Sequence, residues 1–175
     1  MTDAHLLHDL IAVAAARDGA APALQVGAEA LSYSELQQQV HQMASGLRAL
    51  GLARGDRVGI WLEKRVETVV ASFGAPAAGC VMVPMNPLLK PEQVLYIAQD
   101  CNVRVLVTSP DRLALLAPLL VAAPDLRHVV LTQATPRPGE WPAGLGVHAW
   151  PDLMQAPMAA GHRVIDTDIT AILYT

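Results

Sequence analysis

From residue 55 onward, short runs rich in β-branched residues alternate with stretches whose apolar residues recur at helical spacing, and few folds accommodate that order. Residues 57–62, 81–83, 103–107, 126–131, 146–150 and 169–174 read as strands. Residues 65–75, 91–101 and 110 to about 120 read as the helices between the first four. A strand that returns to the same sheet through a helix must run parallel to its predecessor. The expected fold class is therefore α/β: a mainly parallel sheet flanked by helices. Pro91 suits a first helical turn, whereas Pro76 removes an amide and crowds the preceding turn, so the helix over residues 65–75 should end or kink near Ala75. Three prolines and two glycines between Thr132 and Gly146 mark a surface loop.

The first 54 residues follow a different pattern. Leu6, Leu7, Leu10, Ile11, Val13 and Ala14 predict an amphipathic helix ending near Gly19, and residues 23–26 and 30–32 around Gly27 predict a hairpin. Ser32 with Glu35 suits the start of a further helix, whose apolar positions Leu36, Val40, Met43, Leu47 and Leu50 lead to a stop at Gly51. The division expected is thus helix, hairpin and helix over 1–54, then an alternating β/α unit over 55–175.

Composition narrows the function classes. A chain of 175 residues that is 53% hydrophobic and 16% charged has the apolar area for a packed core, which a disordered chain lacks. One Phe, three Trp and three Tyr leave that core to aliphatic side chains. The net charge of −4, with basic residues scattered, argues against a nucleic-acid partner. The longest apolar run outside the first helix, about residues 113–123, is broken by Pro118 and too short to span a bilayer. Asp3 and Asp9, with no Lys or Arg before residue 10, do not suit a signal peptide, so a cytoplasmic location is expected. Cys80 and Cys101 lack metal-ligand spacing and read as buried thiols; His5 and His8 read as surface residues, and the other histidines show no nucleophile partner. Glu63, Lys64, Arg65 and Glu67 read as a solvated corner between strand and helix.

Three segments, in order, carry a resemblance. They are Leu31-Ser32-Tyr33-Ser34-Glu35-Leu36, then Ala78-Gly79-Cys80-Val81-Met82-Val83-Pro84-Met85-Asn86-Pro87, then Asp168-Ile169-Thr170-Ala171-Ile172-Leu173-Tyr174-Thr175. Together, with Gly51 to Val58 as the turn before the first parallel strand, they resemble the adenylate-forming superfamily of acyl-CoA ligases, luciferases and peptide-synthetase adenylation domains. Asn86 is more similar to the acyl-CoA ligases, and residues 84–109 resemble the exosortase A system-associated subgroup. Ala77, where many relatives carry a basic residue, and Pro76 depart from the pattern.

The resemblance implies the N-terminal portion of the superfamily's large domain. It also implies a reaction in which a carboxylate and ATP give an acyl-adenylate and pyrophosphate, followed by transfer to a thiol. ATP, Mg²⁺ and CoA are the implied cofactors of a complete enzyme; a carboxylic acid and CoA, or a carrier-protein thiol, are its implied partners. Thr175 matches the first threonine of the phosphate loop. Asn86, Pro87 and Leu88, with Arg112 nearby, match a surface where some relatives hold the CoA nucleotide. No catalytic or metal-binding residue is assigned within these 175 residues, and no tightly bound cofactor is expected on them. The expectation is a chain inactive by itself, prone to self-association, whose gene continues with Ser, Gly, hydroxyl residues and a lysine. An amino-acid or aryl-acid adenylation domain and a non-catalytic scaffold module are the alternative readings.

Overall fold

The structure, a computed structural model, describes residues 4–133, 141–157 and 161–174. Helix α1 (Asp9–Asp18) starts where the Asp9 carboxylate accepts the amides of His5 and Leu6, at 3.1 and 2.9 Å. Three residues later than the apolar spacing suggests, this start is set by the acid and not by the leucines. Strands β1 (Pro22–Val26) and β2 (Glu29–Ser32) pair antiparallel as a hairpin. Helix α2 (Tyr33–Ala49) then begins at the predicted capping box: the Ser32 hydroxyl accepts the Glu35 amide, and the Glu35 carboxylate accepts the Ser32 amide at 2.8 Å.

Strands β3 (Arg57–Trp61), β4 (Val81–Pro84), β5 (Val103–Thr108), β6 (His128–Leu131) and β7 (Gly146–Ala149) form one parallel sheet in the order β4-β3-β5-β6-β7. Helices α3 (Val66–Ala77), α4 (Pro91–Asp100) and α5 (Pro110–Leu116) connect the strands, and a short helix α6 (Trp150–Met154) follows β7. Alternate strand residues feed two cores. Val58, Ile60, Val105, Val107 and Val130 pack against α2, α3 and α6, while Trp61, Val83, Leu106, Val129 and Leu131 pack against α4 and α5. Burying each such side chain contributes roughly 1.5–3 kcal/mol, so the pattern of alternation fixes which helix covers which face. Helix α2 lies unusually close to its neighbours: a Cβ at Gly74 of α3 would stand 2.5 Å from the Met43 side chain, and one at Gly46 would stand 2.5 Å from Leu153 of α6.

Several expected boundaries move, each for a local reason. Helix α3 runs on through Pro76 to Ala77. The proline sits in the last turn, where it removes only one bond and the Ala78 amide still reaches the Gly74 carbonyl at 2.9 Å. Helix α5 stops at Leu116 and tightens into a 3-10 turn over Ala117–Ala122, because Pro118 has no amide for the α-helical ladder. Trp150, read as a strand end, instead opens α6, with Pro151 in its first turn.

The largest correction concerns residues 169–174, expected as a strand. They run parallel beside β4 but make a single bridge, Met82 with Ala171, through Met82 N–H to Thr170 O and Ile172 N–H to Met82 O, both 3.0 Å. The next donor toward this segment would be residue 84. It is a proline, so the ladder stops after one rung. The middle of the predicted 132–146 loop, and Thr175, lie outside the described residues.

Candidate functional site

Open parallel sheets place ligands beyond the carboxyl ends of their strands, where successive connections leave toward opposite faces. Here the connection after β3 enters α3 on one face, and the connection after β5 enters α5 on the other. The crevice therefore opens between the ends of β3 and β5.

Arg112, in the first turns of α5, spans it. Its Nη1 donates to the Pro87 carbonyl at 2.7 Å, its Nε donates to Glu63 Oε2 at 3.3 Å, and its guanidinium carbon lies 4.9 Å from the centre of the Trp61 ring. One side chain thus ties together the segments that follow β3, β4 and β5. Its remaining nitrogen, Nη2, has no hydrogen bond among the described residues. Below the crevice, the Thr108 hydroxyl donates to the Trp61 carbonyl at 3.1 Å, and Ser109 caps α5.

Glu63 is held below the ordinary carboxylate range, first by its own backbone amide and then by Arg112 and Arg65. Arg65 also binds Glu67 at 2.8 Å, and its side chain is only 16% exposed. As expected of a solvated corner, Glu63 and Lys64 face solvent, while Arg65 and Glu67 pack down and Arg65 and Arg112 hold the Glu63 carboxylate between them.

Asn86, Pro87 and Leu88 form the adjoining turn. The Asn86 side-chain oxygen accepts the Leu88 amide at 2.9 Å, a local Asx turn, and Leu88 itself is 88% exposed. Beside it lies an open cleft of about 670 Å³ whose walls include Pro84, Asn86, Glu92, Tyr96 and Tyr174. The Tyr174 hydroxyl bonds to Asp100, and burial, followed by that carboxylate, pushes its phenol upward. Residues 169–174 run beside β4 through a single bridge; Tyr174 lines the same cleft as Asn86, and its hydroxyl reaches the far end of α4.

The structure thus brings Pro87 and Arg112 into contact and sets Asn86 and Leu88 beside them; Thr175 lies outside the described residues. An anion approaching the crevice would meet one guanidinium nitrogen with no described partner, on a group whose charge is already shared with Glu63. Among the described residues no group of three or more His, Cys, Asp or Glu side chains converges as a metal site. Sequence reading missed Glu63 and Trp61 as parts of this site. They are 49 and 51 residues from Arg112, and only the strand order that puts the first and third parallel strands side by side would have joined them.

Comparison with known proteins identifies the family and the fold. The sequence profile described as AMP-binding enzyme matches residues 11–175. Crotonobetaine/carnitine–CoA ligase of Escherichia fergusonii is 33% identical over 148 residues, covering 82% of this chain and 28% of that protein. Tyrocidine synthase 3 of Brevibacillus parabrevis is 35% identical over 88 residues, 50% of this chain and 1% of that protein. Among solved structures, the anthranilate CoA ligase AuaEII with anthranoyl-AMP superposes with a TM-score of 0.84 at 24% identity, covering 95% of this chain and 31% of that one. Coronafacic acid ligase from Pectobacterium brasiliense gives 0.86 at 16% identity, covering 97% and 33%. The chain therefore spans no more than about a third of the length of these ligases.

Proposed function

The chain belongs to the AMP-binding enzyme family, and on that premise we propose that it forms the opening part of the domain with which an acid–thiol ligase activates its carboxylate. The complete protein would join a carboxylic acid to the α-phosphate of ATP, release pyrophosphate, and pass the acyl group to CoA. ATP, Mg²⁺ and CoA are the cofactors this reading requires. Activation is needed because a carboxylate at neutral pH is a poor electrophile, and a phosphoanhydride supplies the leaving group.

The observation that best supports this reading is the course of residues 169–174 beside β4, at the edge of the sheet where Tyr174 joins Asn86 in the wall of one cleft. A phosphate-binding segment beginning at Thr175 would start at that edge. Arg112 would offer its Nη2 to a nucleotide phosphate, with Asn86, Pro87 and Leu88 as the neighbouring wall. None of these residues is assigned a bond-making role, so the 175 residues alone are proposed to be inactive, and a cytoplasmic location is proposed. No described helix is long and apolar enough to cross a membrane. The finer likeness of residues 84–109 to exosortase-associated ligases belongs to the same proposal.

A second reading, an amino-acid or aryl-acid adenylation domain, is favoured by the tyrocidine synthase match and differs in the thiol acceptor. Extending the chain through its natural coding sequence, and supplying ATP with a panel of acids, separates the two. Thioester on CoA supports the first reading, and thioester only on a carrier protein supports the second. A stop codon directly after Thr175 would overturn both in favour of a scaffold module.

A further inference from the structure

At the amino edge of the sheet, opposite the crevice that Arg112 spans, the chain encloses a second hollow of about 350 Å³. Its walls are the end of the 3-10 turn Ala117–Ala122, the lead into β6 and the turn before β7. Leu120 and Leu126 are buried where they line it, while Val121 stands 80% exposed beside them. Pro124 and Pro142 stiffen two of the walls.

The backbone of these walls is bonded to itself. The Leu126 amide donates to the Ala123 carbonyl and the Leu145 amide to the Pro142 carbonyl, both at 3.1 Å, and the Gly146 amide donates to the Arg127 carbonyl at 2.9 Å. An extended peptide laid here would find few main-chain partners. Arg127 is the one charged residue among the described lining residues, and it joins the sheet through its backbone, its amide donating to the Arg104 carbonyl at 2.9 Å. Its exposed side chain makes no hydrogen bond or ion pair among the described residues. Asp125, two positions earlier, is bonded instead to Asn102 and Arg104, both at 2.8 Å.

Sites for small molecules typically enclose about 300–1,000 Å³, with mostly apolar walls and a few placed polar groups that fix orientation. This hollow has that make-up at the small end of the range. We propose that it binds a small amphiphilic carboxylate, a short- to medium-chain acid whose tail lies against Leu120, Leu126 and Leu145 and whose head meets the Arg127 guanidinium. Charge decides the head group: one cation and no anion line the hollow, and a guanidinium can give a carboxylate two parallel N–H···O bonds. Water screens a pair at the rim, so burial of the tail supplies most of the affinity and Arg127 supplies the selection. The site makes and breaks no bond, and it is independent of the ligase reading.

The test is titration of octanoate into the 175-residue chain at pH 7.5, followed through the NMR signals of the Leu and Val methyl groups, with octanol and octylammonium as the neutral and cationic matches. One equivalent of octanoate should bind saturably and move the methyl signals of Leu120, Val121, Leu126 and Leu145. It should bind about fivefold or more tighter than octanol, as a hydrogen bond to a charged group allows. Arg127→Gln should erase that preference and leave octanol binding unchanged, and Val121→Glu should weaken octanoate more than octylammonium. Lys64→Gln, the same change of charge at an exposed position elsewhere, should bind as the parent does. Equal affinity for acid and alcohol, a preference retained in Arg127→Gln, or shifts confined to other methyl groups would overturn the proposal. Stronger competition by a peptide ending in leucine would overturn it too, making the hollow a peptide site. Should a variant fail to fold, the comparison of acid with alcohol on the parent chain decides alone.

Discussion

Arg112 commits its guanidinium to the Pro87 carbonyl, the Glu63 carboxylate and the Trp61 ring, tying its own helix to the segments that follow β3 and β4. Such a fork cannot be reproduced by a lysine, whose ammonium is a point charge. Arg112→Lys should therefore lose most of the stability lost by Arg112→Ala, about 1.5–3 kcal/mol for hydrogen bonds to a charged group. Urea unfolding measures both, and full retention by the lysine variant would show that charge alone matters. The thiols give a second expectation. Burial first, and then Asp56, pushes Cys80 up to about 12, and burial raises Cys101 as well. Thiolate is the nucleophile, so neither should react with a thiol reagent at pH 8 until denaturant is added; prompt labelling of the native chain would contradict this.

Among the elements, α2 depends on its cap and the last segment depends on a proline. Ser32→Ala removes one half of the capping box and should cost about 0.5–2 kcal/mol, read as a lower urea midpoint with an unchanged slope. Pro84→Ala restores the amide missing from the outer edge of β4 and should let it donate toward Ile172. A protected amide at residue 84 of the variant and slower exchange at Tyr174 than in the parent are the expected signs, and unchanged exchange at Tyr174 would place the interruption elsewhere. Arg54 and Asp168 clamp the same segment to the turn before β3. Asp168 is depressed by its bond to Arg54 first, then by the Ile165 amide. A depressed carboxylate contributes stability above its unfolded pKa of about 3.9 and loses it as pH falls through the lower folded value. The segment should thus stay docked at pH 5 and release only in stronger acid, while Asp168→Asn releases it at both. Patterning alone was enough to read the capping box, the hairpin and the first five parallel strands, because each rests on neighbours within a few residues. The missing sixth strand was illegible for the opposite reason: the amide it needs is absent at Pro84, some 90 residues earlier, and only the pairing shows which edge that proline faces.

At the scale of the whole chain, two cores on opposite faces of one parallel sheet leave the carboxyl edge open, with Arg112, Glu63 and the 84–89 turn around it. Arg112 and Asn86 to Leu88 were named through resemblance to a family, and the fold joins Arg112 to Pro87 within that group. Glu63 and Trp61 were not, because the network that engages them crosses three loops. Exposed Leu88, Tyr96, Ile169 and Leu173 lie on or near the β4 side of the sheet. The isolated chain is expected to self-associate through such surfaces, which sedimentation over a concentration series would reveal as a rising mean mass. The proposed role is tested most directly by acid-dependent exchange of labelled pyrophosphate into ATP, measured on the 175-residue chain and on the same chain extended through its natural coding sequence. Exchange by the extended chain only, stimulated by one class of carboxylic acid, is the predicted result; exchange by the 175 residues alone, or by neither protein with any acid, would contradict it.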